Sequence, residues 1–318
     1  MNNKVLHVSM SFDDRYLTAF TVLVTSILKN NAGNPIHVHA VASGLSRQQK
    51  RKLNKLLRDN GGRMIYYKIS DERVKDFYIP EDSHLTISSY YRLCIADLVP
   101  DDVEKLLYLD TDIVVNNSIA GLFDLDLGKY AVGAVTEYCT NTIRPELGIT
   151  SSDMYFNSGV LLINVKQWRK QGITERAINF ILANPEKLIF ADQDALNAVF
   201  AGKYFRLAGK YNVIHADVPA GLTRSGYRAF VQNKVMIHYT LSNNKPWKEN
   251  CKSNVRFLYF EYLQRSICRN ERFELEWIYH RYRFKKQLLK ARKTFNNQVD
   301  ELLARVGLAK DHQRKPVL

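Results

Sequence analysis

Cysteine is scarce in these 318 residues: Cys94, Cys139, Cys251 and Cys268 are the only four, and no two form a C-x-x-C pair. That excludes a disulfide scaffold and a cysteine-built zinc site, and it predicts reduced thiols in a cytosolic compartment. With only 8 Pro and 15 Gly, fibrous and low-complexity classes fall away, and no internal repeat is visible. No apolar run reaches the roughly 18 residues that a membrane span needs; the longest, Leu17 to Leu28, is interrupted by Thr and Ser. Met1-Asn2-Asn3-Lys4 runs straight into Val5-Leu6-His7-Val8, so no signal peptide is expected. No G-x-G-x-x-G follows that first strand-like segment, which weighs against a dinucleotide-binding Rossmann domain.

What is present is the composition of a globular protein, 46% hydrophobic and 25% charged. The length allows one large α/β domain with an appendage, or two medium domains. The net charge of +14 is uneven: Ser253 to Leu318 hold 15 Lys+Arg against 7 Asp+Glu, more than half of the excess. Such asymmetry predicts a tail that meets something anionic.

Along the chain, strand-like and helix-like segments alternate. Residues 4–11 read as a strand, 16–30 as an apolar helix and His37 to Val41 as a second strand. Ser46 to Asn60 is a basic helix stopped by Gly61-Gly62, and Met64 to Ile69 is a third strand. This alternation predicts a parallel, doubly wound α/β sheet, in which ligands bind outside the carboxyl ends of the strands. The loop Ser11-Phe12-Asp13-Asp14-Arg15-Tyr16 occupies such a place. An acidic side chain there suits a ribose hydroxyl or a base N–H, and equally suits a helix N-cap.

A second such place is Val103 to Val115, where the apolar run Leu106-Leu107-Tyr108-Leu109 ends in Asp110-Thr111-Asp112. Residues two apart on extended backbone share a side, so both carboxylates can face one point. Like charges at the mouth of an apolar strand are costly unless a cation lies between them. Hard carboxylate oxygens suit Mg²⁺ or Mn²⁺, which commonly accompany phosphate-bearing substrates. The bland alternative is a strand that ends in an acidic turn. Arg92, among Tyr91, Leu93 and Ile95, either grips a phosphate or pins Asp97 or Asp110. Phe156-Asn157-Ser158-Gly159 reads as a loop entering a buried strand, with Asn157 offering both a donor and an acceptor to a ligand or serving as a turn residue, and Gly159 allowing close backbone approach. Asp192-Gln193 precedes the helical Ala195 to Phe200, where Asp192 serves as an N-cap or a functional carboxylate. Beyond Trp247, Arg and Lys interleave with aromatics, and Phe284, Leu288, Phe295, Val299 and Leu302 recur at helical spacing. A basic amphipathic helix of this kind suits an anionic membrane surface, or else packs on the core with a solvated basic face.

Six segments together resemble the family 8 retaining glycosyltransferases, which include bacterial lipooligosaccharide galactosyl- and glucosyltransferases and glycogenin. They are Ser11 to Tyr16, His84 to Arg92, Leu107 to Asp112, Tyr155 to Asn164, Ala191 to Asn197, and His238-Tyr239-Thr240 with Lys245-Pro246-Trp247. Each is short, but they fall in family order over roughly the first 250 residues. The resemblance implies a single GT-A type nucleotide-sugar-binding domain over 1–250, with a mixed, mainly parallel sheet and helices on both faces. A basic helical extension over 251–318 would then attach to membrane. It implies Asp110, Asp112 and His238 as ligands of Mn²⁺ or Mg²⁺. Ser11, Asp13, Tyr16, Arg92, Asp110, Thr111, Asp112, Asn157 and Lys245 would hold a UDP-hexose, and Asp192 and Gln193 would lie near its anomeric carbon.

The activity so implied is transfer of glucose or galactose from UDP to a saccharide or glycolipid acceptor, at the inner face of the cytoplasmic membrane. Glu137 stands where relatives often have Asp, and it would meet donor or acceptor sugar. Two departures concern the phosphate end: Leu241 replaces a common glycine, and the step from His238 to Lys245 is one residue longer. Other readings are a nucleotidyltransferase-like metal enzyme, which has no use for a second sugar-binding segment, and a nucleic-acid-binding protein, which would need a basic core face. No nucleic-acid recognition motif is present.

Overall fold

The first three strands, β1 (Leu6–Phe12), β2 (Ile36–Ala42) and β3 (Arg63–Tyr67), are joined by helices α1 (Leu17–Asn30) and α2 (Arg47–Asp59). The computed structural model describes residues 4–69, 87–138 and 143–305. Ser46 and Gln49 close a reciprocal capping box at the start of α2, and Gly61 ends it with φ +73°. Next come α3 (Ile87–Leu98), β4 (Lys105–Leu109), β5 (Ile113–Val115), the single-turn α4 (Ala120–Phe123), β6 (Val132–Thr136) and β7 (Phe156–Asn164). The chain continues through α5 (Val165–Lys170), α6 (Ile173–Ala183), α7 (Asp192–Phe200), β8 (Phe205–Arg206), α8 (Arg224–Val231), β9 (Met236–His238), α9 (Arg256–Leu263) and α10 (Glu271–Arg305). Of the segment His84 to Arg92, residues 84–86 lie outside the described residues.

The main sheet has the order β3-β2-β1-β4-β7-β6-β8. β1 pairs in parallel with β2 and β4, β2 with β3, and β6 with β8, whereas β7 runs antiparallel to both β4 and β6. The sheet is thus mixed and mainly parallel, with helices on both faces. Alternation along the strands divides the core: Leu106 and Tyr108 of β4 pack with α3, α5, α6 and α7, while Leu107 and Leu109 pack with α1 and α2. Such two-sided burial explains why β4 and β7 read as continuous apolar runs rather than alternating ones.

A small antiparallel pair, β5 with β9, packs beside α1 and α9 in a third cluster that includes Val22, Ile237, Tyr239, Leu258 and Leu263. α9 therefore packs on the globular body, inside the 251–318 stretch that the resemblance assigns to the extension. Leu263 is fully buried, and its truncation to Ala would cost about 2–5 kcal/mol. The segment that leaves the body is α10, 35 residues long. Among the described residues no helix is long and apolar enough to cross a membrane.

Candidate active site

Sheet pairing assembles the site. Leu109, the last residue of β4, is registered against Val160 of β7, and the Asp110 N–H donates to the Gly159 carbonyl at 2.9 Å. β5 begins just past Asp112 and pairs with β9 so that Ile113 faces His238, while the Tyr239 N–H donates to the Asp112 carbonyl at 2.9 Å. One ligand atom each from Asp110, Asp112 and His238 lies within 4.8 Å of the others. His238 Nε2 is 3.3 Å from Asp112 Oδ1 and 3.8 Å from Asp110 Oδ2. Two residues apart in sequence and a third from a distant strand, the three expected metal ligands meet at one point.

The imidazole is aimed by a relay of amides. Asn157 Nδ2 donates to Glu137 Oε2 at 3.0 Å, and Asn157 Oδ1 accepts from the Asn212 Nδ2 at 2.9 Å and from the Gly159 N–H. Asn212 Oδ1 is therefore an acceptor, and at 3.0 Å it takes the proton on His238 Nδ1. That tautomer leaves the Nε2 lone pair directed at the two carboxylates, as a metal-ligating histidine requires. Gly159 makes room for it: a Cβ there would come 2.2 Å from His238 Cε1 and 2.9 Å from Asp110 Oδ2. Ligand chemistry, tautomer and this close approach all fit a small divalent cation.

Arg92, on α3, is 7% exposed and is held by protein on every side. Its Nη2 lies 3.1 Å from Asp110 Oδ1, its Nε lies 2.7 Å from Asp192 Oδ2, and its Nη1 donates to the Ser158 carbonyl and hydroxyl. Of the two sequence readings of Arg92 this is the pinning one, and Asp192 joins Asp110 as a partner. Burial works against the guanidinium charge, but Asp110 and Asp192 together raise the Arg92 pKa above its ordinary value. Burial pushes the Asp192 carboxyl up to about 7, with Arg92 opposing and Asp110 adding to the rise. Tyr108 donates to Asp110 Oδ1 at 2.9 Å and contacts the Ser11 hydroxyl at 3.1 Å, so Ser11 stands behind the metal ligands.

Gln193 is fixed at both ends of its carboxamide. Oε1 accepts from the Ser158 N–H at 3.0 Å, while Nε2 donates to Tyr155 at 3.1 Å and lies 3.4 Å from Glu137. The helix that carries it opens at Asp192 itself rather than at Ala195. Ala191, just before, has φ +47° and ψ −115°, a strained state for a residue with a Cβ. Asp194 anchors the approach to this helix, accepting from the Ile189 and Phe190 N–H groups and from Tyr155. The N-cap alternative for Asp192 is not realised, because its carboxylate faces Arg92. Phe156 to Gly159 are strand rather than loop, the opening residues of β7, with Phe156 registered against Thr136 of β6; Asn197 also donates to the Phe156 carbonyl and accepts from its N–H.

At the opposite rim Lys245 Nζ forms an ion pair with Asp112. Burial opposes ionisation of Asp112, yet Lys245 holds its carboxyl well below the usual carboxylate range. Half-buried Tyr16 meets Trp247 edge to face at 6.0 Å between ring centres. Burial, with Lys245 opposing and Asp112 adding, raises the Tyr16 phenol above its ordinary value. Asp13 caps the short 3₁₀ turn before α1 through the Arg15 N–H at 3.0 Å and pairs with the Arg15 side chain. Thr111 is buried between the two ligand aspartates. Leu241, the residue in place of the expected glycine, keeps the glycine-like backbone, with φ +66° and ψ 146°, and stays 59% exposed. Asn212, Tyr108, Ser158 and Tyr155 escaped sequence reasoning as site residues. Ser158 and Tyr155 sat unassigned inside a quoted segment, whereas nothing local marks Asn212.

The site therefore offers a hard-cation centre on one side of Arg92 and an uncharged amide with two carboxylates on the other. The model of a family described as "Glycosyl transferase family 8" matches residues 7–251. "General stress protein A" of Bacillus subtilis is 30% identical over 271 residues, 82% of this chain and 94% of that protein. An Escherichia coli "Lipopolysaccharide 1,2-glucosyltransferase" is 30% identical over 254 residues, 77% of this chain and 74% of that one. The crystal structure of the galactosyltransferase LgtC in complex with donor and acceptor sugar analogs superposes with a TM-score of 0.71 at 25% identity. The superposition covers 82% of this chain and 96% of that chain.

Proposed function

Because the chain belongs to glycosyl transferase family 8, we propose that this hexosyltransferase is metal-dependent and moves glucose or galactose from UDP to a saccharide acceptor, with retention. The acceptor is a lipopolysaccharide core or another lipid-linked glycan, the class named for the Escherichia coli relative. The observation that carries this reading is the convergence of Asp110, Asp112 and His238 within 4.8 Å, beside the Arg92-bound Asp192 and the fixed Gln193.

Asp110, Asp112 and His238 would hold Mn²⁺ or Mg²⁺. Such an ion supplies Lewis-acid screening of the diphosphate charge that grows as the sugar departs. The protein's own groups do the rest. Ser11, Asp13 and Tyr16 receive the uridine, Thr111 contributes to the same donor site, and Tyr16 offers a ring face to the base. Lys245 shifts from Asp112 toward the departing phosphate on its flexible stem and adds a second positive charge there. Asn157 and Glu137 meet sugar hydroxyls. Gln193 presents a neutral carboxamide of fixed orientation to the anomeric carbon, where positive charge develops in the transition state. Asp192 is 2% exposed and paired with Arg92, so it stabilises that charge from a distance rather than attacking. Among the described residues no free carboxylate is poised as nucleophile, so attack proceeds from the face that the UDP leaves.

The extension completes the reading. Along α10, Phe273, Trp277, Phe284, Leu288, Phe295 and Leu302 are each more than half exposed. Phe273, Phe284 and Phe295 recur every 11 residues, as do Trp277 and Leu288, a period of about 3.67 per turn that keeps them in one stripe. Arg281, Lys285 and Arg292 flank that stripe on one side and Arg283 and Lys290 on the other. This helix lies on an anionic bilayer surface, which places the enzyme at the inner face of the cytoplasmic membrane, beside a lipid-anchored acceptor. A panel of nucleotide sugars with Mn²⁺, scored for UDP release without acceptor, tests the donor. Selective slow hydrolysis of UDP-glucose or UDP-galactose is expected, and its persistence in excess chelator would overturn the metal role.

A further inference from the structure

The membrane-facing charge is not confined to the extension. α2 packs six cations, Arg47, Lys50, Arg51, Lys52, Lys55 and Arg58, into 13 residues, with Asp59 its single acidic side chain. Leu53 and Leu57 are fully buried against the sheet. Arg47, Arg51, Lys55 and Arg58 follow at i, i+4, i+8 and i+11 on the side turned away from those leucines. Like charges at such spacing repel and weaken a helix. Among the described residues Arg47, Arg51 and Arg58 have no salt-bridge partner, and only Lys55 has one, with Asp59 at 2.5 Å. The helix is kept instead by its capping box and its two buried leucines. A row of uncompensated cations on a well-anchored helix is an electrostatic footprint for an anionic surface.

Its position names the partner. α2 shares a cleft of about 290 Å³ with the root of α10, lined by Gln49, Lys52 and Leu53 on one side and Ile267, Cys268 and Glu271 on the other. Thr18 of α1 donates to Glu271 at 2.6 Å and fixes that root against the body. Ile267 is 43% exposed, and Phe273, one half-turn into α10, is 79% exposed. Of the six cations Lys52 lines this cleft, and a cation beside exposed aliphatic and aromatic groups suits headgroups over acyl chains. Nucleic-acid backbone would leave those apolar groups without a role.

We propose that α2 is a second, independent contact with anionic phospholipid, acting together with α10. The inference rests on the reading of α10 as a membrane helix. A single surface helix leaves the body free to roll about that helix axis, whereas a second contact beside its root fixes the pose of the catalytic cleft over the bilayer.

The test compares the full chain with two variants: Arg47→Gln/Arg51→Gln/Lys55→Gln/Arg58→Gln in α2, and Phe284→Ala/Leu288→Ala in α10. Each is sedimented with vesicles of phosphatidylglycerol and phosphatidylethanolamine, and with phosphatidylcholine alone, and each is scored for UDP release in solution. A basic residue at an anionic surface contributes on the order of fivefold in partitioning. The α2 variant is therefore expected to bind the anionic vesicles at least tenfold more weakly, with UDP release and helix content unchanged. The wild-type chain should show little affinity for phosphatidylcholine alone. If the α2 variant binds like the wild type while the α10 variant is lost, α2 has no such role and the extension docks alone. If the wild-type chain ignores anionic vesicles altogether, both readings fail. Retention on immobilised duplex DNA, lost in the α2 variant while vesicle binding persists, would assign the patch to nucleic acid and overturn the proposal.

Discussion

Substituting Gly159 by Ala puts the metal reading under direct strain. The added Cβ would sit 2.2 Å from His238 Cε1, where unstrained carbon pairs keep about 3.5–4.0 Å. Something must move by more than about 1 Å. The strand resists, because the Gly159 carbonyl receives the Asp110 N–H and Val160 is paired with Leu109. The ring therefore yields, and it is 5% exposed, bonded to Asn212 and fixed by its own backbone N–H to Val213. Overpacking of this kind costs about 1–3 kcal/mol. In a chain of this size each kcal/mol lowers the midpoint of thermal unfolding by about 1–2 °C. The functional cost is larger, because metal–ligand bonds tolerate only ~0.2 Å of error. Disturbing a group behind a ligand already weakens metal binding ~10–100-fold, which sets a floor for displacing the ligand itself. Mn²⁺ titration of UDP release, with Mn²⁺ binding followed by electron paramagnetic resonance, reads this out. Adding His238→Ala to Gly159→Ala removes the collision, so thermal stability should recover while metal affinity does not. Wild-type metal dependence in Gly159→Ala would refute the reasoning.

Three further outcomes are expected. Asp110→Asn should lower transfer at least ~100-fold, since a ligand outweighs the supporting groups behind it, while circular dichroism stays native; full turnover in chelator would discard Asp110 as a ligand. Leu241→Gly should gain about 1 kcal/mol in urea unfolding, because the strain of a side chain at this backbone, about 1–3 kcal/mol, exceeds glycine's extra unfolded entropy, about 0.5–1 kcal/mol; a loss of stability would show the strain to be absent. The third concerns His39, buried between His7 and Tyr67 and lowered to about 3 by burial, with His7 and His37 adding. Between pH 6.5 and about 3 the unfolded chain takes a proton that folded His39 refuses, so stability falls as pH falls. The slope is about 1.4 kcal/mol per unit, or about 2 kcal/mol from pH 6.5 to 5. Unfolding titrations of wild type and His39→Gln at both pH values should show a smaller loss in the variant, and equal losses would remove His39 from the account.

Much of the site was legible because its chemistry is carried by local pattern. Asp110 and Asp112 follow an apolar strand, and strand ends in an α/β sheet are where ligands sit. His238 was legible only through resemblance, since a lone histidine after Val235-Met236-Ile237 has no local mark of a ligand. What escaped depends on contacts across the fold. Asn212 directs the imidazole from an irregular stretch without periodicity, and Arg92 reaches Asp192 across 100 residues of sequence. The N-terminal alternation was clear because each strand and helix is separately patterned. The antiparallel course of β7 was hidden, because burial on both faces erases the period that would show direction or pairing. α9 read as tail for a similar reason: its aromatics are core, but Arg256, its first residue, and Arg265, just past its end, gave this stretch the tail's composition.

The reversed course of β7 sets a ruler inside the enzyme. Its opening residues lie against the finish of β4, so groups that would touch sugar and groups that would hold metal belong to one hydrogen-bonded ladder. Surface segments on either side can lengthen without touching that ladder. A single residue inserted or deleted between Phe156 and Val160 would instead turn each later side chain to the other layer, exchanging the places of Leu161 and Leu162 and moving a Cβ into the slot now kept clear beside the imidazole.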